Sequence, residues 1–181
     1  MQGVGRNQAR LLPHDTAWEE EFREVKAELS AMLGDVALAI EHVGSTAIPT
    51  ISAKPILDVA VLVPALDTPE LDRLSEVGYD DRGLQAPAFD RRLFVLRSAD
   101  DLSLRHIHCC TDASPEFAWF IAFRDHLIAH PETAQAYEAL KQRLVAEFAD
   151  DRPKYTAGKH EFIAKVLETA TPHQRHGRQQ N

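Results

Sequence analysis

Cysteine is nearly absent from this 181-residue chain. The two present, Cys109 and Cys110, are neighbours and cannot staple distant segments together. A disulfide scaffold is therefore excluded, and a reducing, cytoplasmic setting is the expectation. Positive charge is also scarce: 20 Lys and Arg stand against 28 Asp and Glu, for a formal net charge of −8. Broad, non-specific nucleic-acid binding needs a basic surface, so that class is disfavoured, although a local basic pocket is not. No apolar run approaches the roughly 20 residues of a membrane-spanning helix. The opening "MQGVGRNQAR" lacks the apolar core of a signal peptide. There is no internal repeat, no Cys-x-x-Cys pair, no Ser-His-Asp elbow and no dinucleotide Gly-x-Gly-x-x-Gly.

What remains is an ordinary globular composition, 44% hydrophobic and 27% charged, at a length that fits one domain. Residues 1–10 read as a loose arm. A helix is expected from Asp15 or Thr16, with Thr16 and Glu19 at capping-box spacing. Trp18, Phe22, Val25, Leu29 and Met32 form its apolar face, and Gly34 ends it. "DVALAIEHV" follows as a strand, then the turn "GSTAIPTISAK", then a strand "PILDVAVLV" starting at Pro55. Thr68 and Pro69 begin a helix that runs to about Val77. "GLQAPAFDR" reads as a loop, and "RLFVLRS" and "LSLRHIHCC" as two strands joined at "ADD". Helices are expected from Ser114 to His130, from Glu132 to Phe148 and over "KHEFIAKVLETA", with "DDRPKYTAG" as a connection. The tail "TPHQRHGRQQN" is polar, a flexible end. This order, a helix, two strands, a helix, two or three strands and three helices, predicts an α+β (α/β) domain over residues 11–170, a mixed sheet with packed helices and a C-terminal helical part.

Chemistry concentrates at one place. Asp58 interrupts an apolar strand 13 positions after Ser45. A buried carboxylate is costly unless it is paired or holds a metal. Gly44 frees the preceding turn from the usual backbone limits and lets its N–H groups approach a ligand. Such a turn can cradle a phosphate, with the Ser45 hydroxyl as a further donor. Turn and carboxylate together would place a phosphate and a cation a few ångströms apart. Gly-Ser alone is equally an ordinary loop.

The segment with His42, Gly44, Ser45, Thr46, Ala53, Lys54, Pro55 and Asp58 resembles a block of the GrpB family. "LPHDTAWEEEF", "IAFRDHLIAHPETAQAYEALK" and "KYTAGKHEFI" are similar to three further blocks of that family. The resemblance runs from about Leu11 to Ala170. It implies a nucleotidyltransferase-like fold, with the Gly-Ser turn on a triphosphate and acidic residues on Mg²⁺ or another divalent cation. Asp58 would be the metal ligand, and His42, Gly44, Ser45, Thr46 and Lys54 would bind phosphate or substrate. This chain departs from the superfamily pattern. The second acid position holds Ala60, and the strand that should bring a third acid carries His106 and His108. Some relatives are fused to dephospho-CoA kinase, but the phosphate loop of a kinase is missing here. The one Gly-Lys, Gly158-Lys159, is followed by His160 and has Pro153 where the first glycine should be.

His106 and His108 are two apart on a strand, so both point to one face. With Asp58 they can hold a transition metal, or one can act as a general base. The plainer alternative is a strand face whose histidines bond to backbone groups. Arg92, Arg97, Arg105 and Lys54 are candidates to counter phosphate charge, or else pair with the many surface acids. Arg124 is placed near the pocket or in an ion pair, and Asp125 in a structural pair. Tyr155 and Lys159, four apart, would close over a base or phosphate, or anchor the last helix. Three readings stand: a nucleotidyl-transferring enzyme, a nucleotide- or anion-binding module without turnover, and a transition-metal site.

Overall fold

The computed structural model describes residues 1–85 and 90–170. Among them, five strands form one sheet in the order β1-β2-β5-β4-β3. These are β1 (Ala39–Val43), β2 (Leu57–Leu62), β3 (Tyr79–Leu84), β4 (Arg91–Arg97) and β5 (Ser103–Cys110). The β2–β5 pairing is parallel and the others are antiparallel, so the sheet is mixed. Six helices accompany it: α1 (Ala17–Leu33), α2 (Pro69–Glu76), α3 (Glu116–Ala129), α4 (Pro131–Phe148), α5 (Arg152–Ala157) and α6 (His160–Ala170). None of the described helices is long and apolar enough to cross a membrane.

Alternation along β2 and β5 divides the sheet into two faces. Leu57, Val59 and Val61 of β2 join Ile107 and Cys109 of β5 and Phe94 of β4 in the main core. Val25, Leu29 and Leu33 of α1 and Leu71 and Leu74 of α2 cover them. Asp58, His106 and His108 occupy the intervening positions and face the other way. On that side α3, α4 and α6 pack chiefly on one another and on the segment after β1, through Ile48, Ile51, Leu127, Tyr137 and Val166. This helical group leaves a hollow over the centre of the sheet.

Several expectations are corrected. Residues 1–10 are not a loose arm: Val4 is buried and bridges Ser103, and the Ala9 N–H donates to the Ala149 carbonyl at 2.7 Å. Thr16 forms no side-chain cap; the Asp15 carboxylate accepts from the Ala17 N–H at 2.9 Å. The first strand begins only at Ala39, because Gly34–Val36 make a 3₁₀ turn. The second begins at Leu57 because a tight turn around Pro55 joins the Ile56 N–H to the Lys54 carbonyl at 2.7 Å. Edge strand β3 is the third strand that the sequence leaves open after the second helix; Asp80, Asp81 and Arg82 are exposed and give no alternation that would place it. The expected connection over 150–158 contains α5, capped by the Asp151 carboxylate on the Lys154 N–H. Residues 86–89 of the expected loop and the tail from 171 lie outside the described residues.

Candidate functional site

The hollow is a cavity of about 440 Å³. Its floor is the sheet. Asp58 and His106 are register partners on the parallel strands β2 and β5, and His108 follows on the same face. Asp58 Oδ1 lies 3.0 Å from His106 Nδ1 and 3.2 Å from His108 Nε2. Burial pushes the Asp58 carboxyl up, but the hydrogen bonds and charges of the two imidazoles outweigh it and hold the group well below the usual range. Burial lowers His108, against the pull of Asp58. The Asp58 side chain keeps 29% of its surface exposed, so the carboxylate opens toward the cavity. His106 Nε2 is 3.4 Å from Arg152 Nη2. A guanidinium only donates, so Nε2 accepts and the proton of a neutral His106 ring sits on Nδ1, facing Asp58.

The turn roofs this carboxylate. Gly44 has φ +70° and ψ −171°, and a Cβ there would meet Asp58 Oδ2 at 2.6 Å. Only glycine combines that backbone with that approach. Ser45–Ala47 then form one 3₁₀ turn, with Ser45 and Thr46 on the cavity wall.

A second wall is cationic. Lys54 precedes β2, Arg152 begins α5, and Lys159 lies between α5 and α6. Both ammonium groups stand over the Tyr155 ring, Lys54 at 5.3 Å and Lys159 at 4.8 Å from its centroid. Burial lowers Lys54 to about 7, helped by repulsion from Lys159 and Arg152. Burial likewise lowers Lys159 to about 8, with Lys141 and Arg152 repelling it and Asp58 opposing. The third wall is apolar: Trp119, Phe120 and Phe123 of α3 with Ile163 and Leu167 of α6. At the far end Arg91 bonds Glu116 at 3.1 Å, while Glu116 Oε2 is buried with no hydrogen-bond partner among the described residues. Burial raises the Glu116 carboxyl. A wider hollow of about 700 Å³ lies under the N-terminal segment beside Trp18 and Glu21. It carries no comparable group of metal-ligating side chains among the described residues.

Of the sequence candidates, Gly44, Ser45, Thr46, Lys54, Asp58, His106, His108, Tyr155 and Lys159 line the cavity. His42, Arg92, Arg105 and Arg124 do not. His42 faces the α1 side of the sheet, stacks on Phe22 and reaches Thr46 Oγ1 at 2.9 Å, so it supports the turn from behind. Burial depresses it to about 4. Arg92 pairs with Asp72 and Asp81 at 2.7 and 2.8 Å, and Arg105 with Glu21 and Glu28 at 2.7 and 3.0 Å. Both lie one position out of phase with the cavity face. Arg97 is held by Asp80 and Ser103. Arg124 joins Glu41, the His42 carbonyl and Asp125, which ties α3 to β1. Sequence reading missed Arg152, Arg91 and Glu116. The Asp-Arg-Pro at 151–153 is a helix-start signal that would have located Arg152. Arg91 follows only once the β4–β5 register is known.

Comparison with known proteins gives consistent matches. The family described as GrpB protein matches residues 8–169. The chain is 31% identical over 167 residues to UPF0157 protein YqkA of Bacillus subtilis, covering 91% of this chain and 48% of that protein. It is 32% identical over 173 residues to the glutamate-rich protein GrpB of Alkalihalophilus pseudofirmus, covering 92% and 98%. The crystal structure of conserved protein GrpB from Enterococcus faecalis superposes with a TM-score of 0.78 at 31% identity, over 89% of this chain and 96% of that one. The chain thus spans about half the length of YqkA and nearly all of the other two.

Proposed function

Because this chain belongs to the GrpB family, we propose that its cavity binds a nucleoside triphosphate or another phosphate-bearing small molecule, in a nucleotidyltransferase-like manner. The observation that carries this reading is the convergence of Lys54, Arg152 and Lys159 on one wall beside the Asp58 floor. Burial and mutual repulsion depress both lysines. A bound polyanion would relieve that repulsion and restore their charge. Arg152 offers a fork to phosphate oxygens, the lysines offer point charges, and the turn from Gly44 to Thr46 offers backbone donors. Trp119 and Phe120 supply an aromatic surface on which a planar base would stack. In-line transfer of a nucleotidyl group to an acceptor is the reaction class such a pocket would serve.

Mg²⁺, which the family resemblance implies, fits these residues poorly. Mg²⁺ takes oxygen ligands in an octahedron, usually one or two carboxylates plus phosphates and waters. Here the floor offers one carboxylate, whose Oδ1 already meets two imidazoles. The second acid position is Ala60, fully buried. The same departure favours a second reading, in which the ligand is held without turnover.

Calorimetric titration of the four ribonucleoside triphosphates and of pyrophosphate tests binding, in the parent and in Lys159→Gln. Affinity that falls in the variant supports the reading; equal affinity, or no binding to the parent, rejects it. Incubation with α-labelled triphosphates and cell extract then separates the two readings, since only transfer moves label or releases pyrophosphate.

A further inference from the structure

We infer that Asp58, His106 and His108 form a three-ligand site for a divalent transition ion of the Zn²⁺ class, with its open coordination positions facing the cavity. The three side chains offer one carboxylate oxygen and two imidazole nitrogens within 4.8 Å of one another. Imidazole suits Zn, Fe, Ni and Cu, whereas carbonyl, carboxylate and water suit Mg and Ca. Bonds of about 2.1 Å meeting at tetrahedral or octahedral angles place neighbouring ligand atoms roughly 3.0–3.4 Å apart. The Asp58–His106 and Asp58–His108 distances, 3.0 and 3.2 Å, already have that spacing. The third edge, between the two ring nitrogens, is within 4.8 Å and closes by rotation of an imidazole.

The fold supports this placement. All three residues sit on two hydrogen-bonded central strands, so backbone pairing fixes their spacing before any ion arrives. Rigid strands hold ligands better than loops do. Gly44 lets the turn backbone lie close over the Asp58 carboxylate. Three protein ligands with an open remainder is the arrangement of zinc sites that act on a bound water or substrate. One neighbour must respond. A metal on His106 Nδ1 puts the ring proton on Nε2, opposite the Arg152 guanidinium 3.4 Å away. Arg152 therefore has to turn away from His106, toward any phosphate in the cavity.

This inference shares the cavity of the proposed phosphate ligand but is tested without it. Protein purified without a histidine tag or chelator is dialysed against Zn²⁺ or Co²⁺, each with Mg²⁺ in large excess. The expected result is one equivalent retained per chain and lost in both Asp58→Asn and His108→Ala. Loss of affinity should exceed the roughly 10–100-fold that removing an outer partner of a metal ligand costs. The stacked pair His126 and His130, with ring centroids 4.0 Å apart, is the adventitious alternative. His126→Ala should leave the equivalent intact. Circular dichroism checks that the variants fold, and the visible spectrum of the Co²⁺-loaded parent needs no variant. Strong bands of low coordination number with imidazole ligation support the site. Retention unchanged in Asp58→Asn and His108→Ala, displacement by Mg²⁺, or a hexa-aqua-like Co²⁺ spectrum overturns it. Phosphate binding measured on metal-free protein is a separate readout, so the two readings fail independently.

Discussion

The sharpest structural prediction concerns Gly44→Ala. The new residue would have to sit at φ +70° and ψ −171°, a region essentially reserved for glycine, which costs about 1–3 kcal/mol. Its Cβ would also lie 2.6 Å from Asp58 Oδ2, 3.0 Å from the Asp58 Cβ and 3.1 Å from its Cγ. Two of those atoms belong to the base of a short side chain and cannot swing clear, so overpacking adds about 1–3 kcal/mol. The sum is about 2–6 kcal/mol. Gly34 gives the matching control. It has φ +56° and ψ −135°, but an added methyl would meet none of the described atoms within 4 Å, so Gly34→Ala carries the backbone cost alone, about 1–3 kcal/mol. Urea unfolding of parent and both variants measures the difference. NMR of the imidazole side chains adds a local readout, because displacing the Asp58 carboxylate alters its bonds to His106 and His108. Equal losses in the two variants, with those imidazole signals unmoved in Gly44→Ala, would refute the claim that this glycine exists to let the turn close over Asp58.

Other predictions follow from the same geometry. Lys54 and Lys159 have folded-state values of about 7 and about 8, below the ordinary 10.5. Between those values the unfolded chain binds more protons, so their contribution makes the free protein more stable as pH rises from about 7 toward 10.5. An anion reverses this by raising both lysines: binding near pH 8 takes up protons, and affinity falls as the solution becomes more alkaline. Titrations in buffers of different ionisation enthalpy read that uptake, and none would contradict the cationic-wall assignment. Arg152→Ala should weaken pyrophosphate binding roughly 10- to 150-fold, the loss of one charged hydrogen bond of about 1.5–3 kcal/mol. Arg92→Ala and Arg105→Ala should lower stability yet leave that affinity alone, since both side chains serve acids on the opposite face; a matching loss of affinity would show the face assignment to be wrong. Buried Lys141 bonds the Ser52 carbonyl and Glu138. Lys141→Ala should cost about 2–3 kcal/mol, below the roughly 3–5 of a fully buried pair because Glu138 keeps other partners, and Lys141→Met, which fills the space but equally removes the ammonium, should retain most of that cost. A near-neutral Lys141→Met in thermal unfolding would argue against a polar role for this lysine.

Much of the scaffold is legible in the sequence because it follows from period and punctuation. The helical spacing of Trp18, Phe22, Val25, Leu29 and Met32 marks α1, and alternation about Asp58 marks β2. What escapes is whatever depends on partners. Edge strand β3 buries Tyr79 and exposes Asp80 to Arg82, so it carries no periodic signal until β4 pairs with it. The N-terminal residues hold Val4 and Ala9 among polar neighbours, and their burial exists only because Ser103 and Ala149 come from distant segments. The carboxylate, the turn and the two histidines can be picked out as residues that burial alone would not choose. The arginines cannot: Arg91 and Arg92 are adjacent in sequence, and strand register alone sends one to the cavity and the other to Asp72 and Asp81.

The most direct test of the phosphate site is a crystal structure of the protein with a non-hydrolysable nucleoside triphosphate. The cationic-wall assignment requires phosphate density between Lys54, Arg152 and Lys159, the base against Trp119 and Phe120, and Arg152 drawn away from His106. Phosphates bound under the N-terminal segment instead, or a filled cavity with Arg152 still on His106 and no lysine in contact, would contradict it.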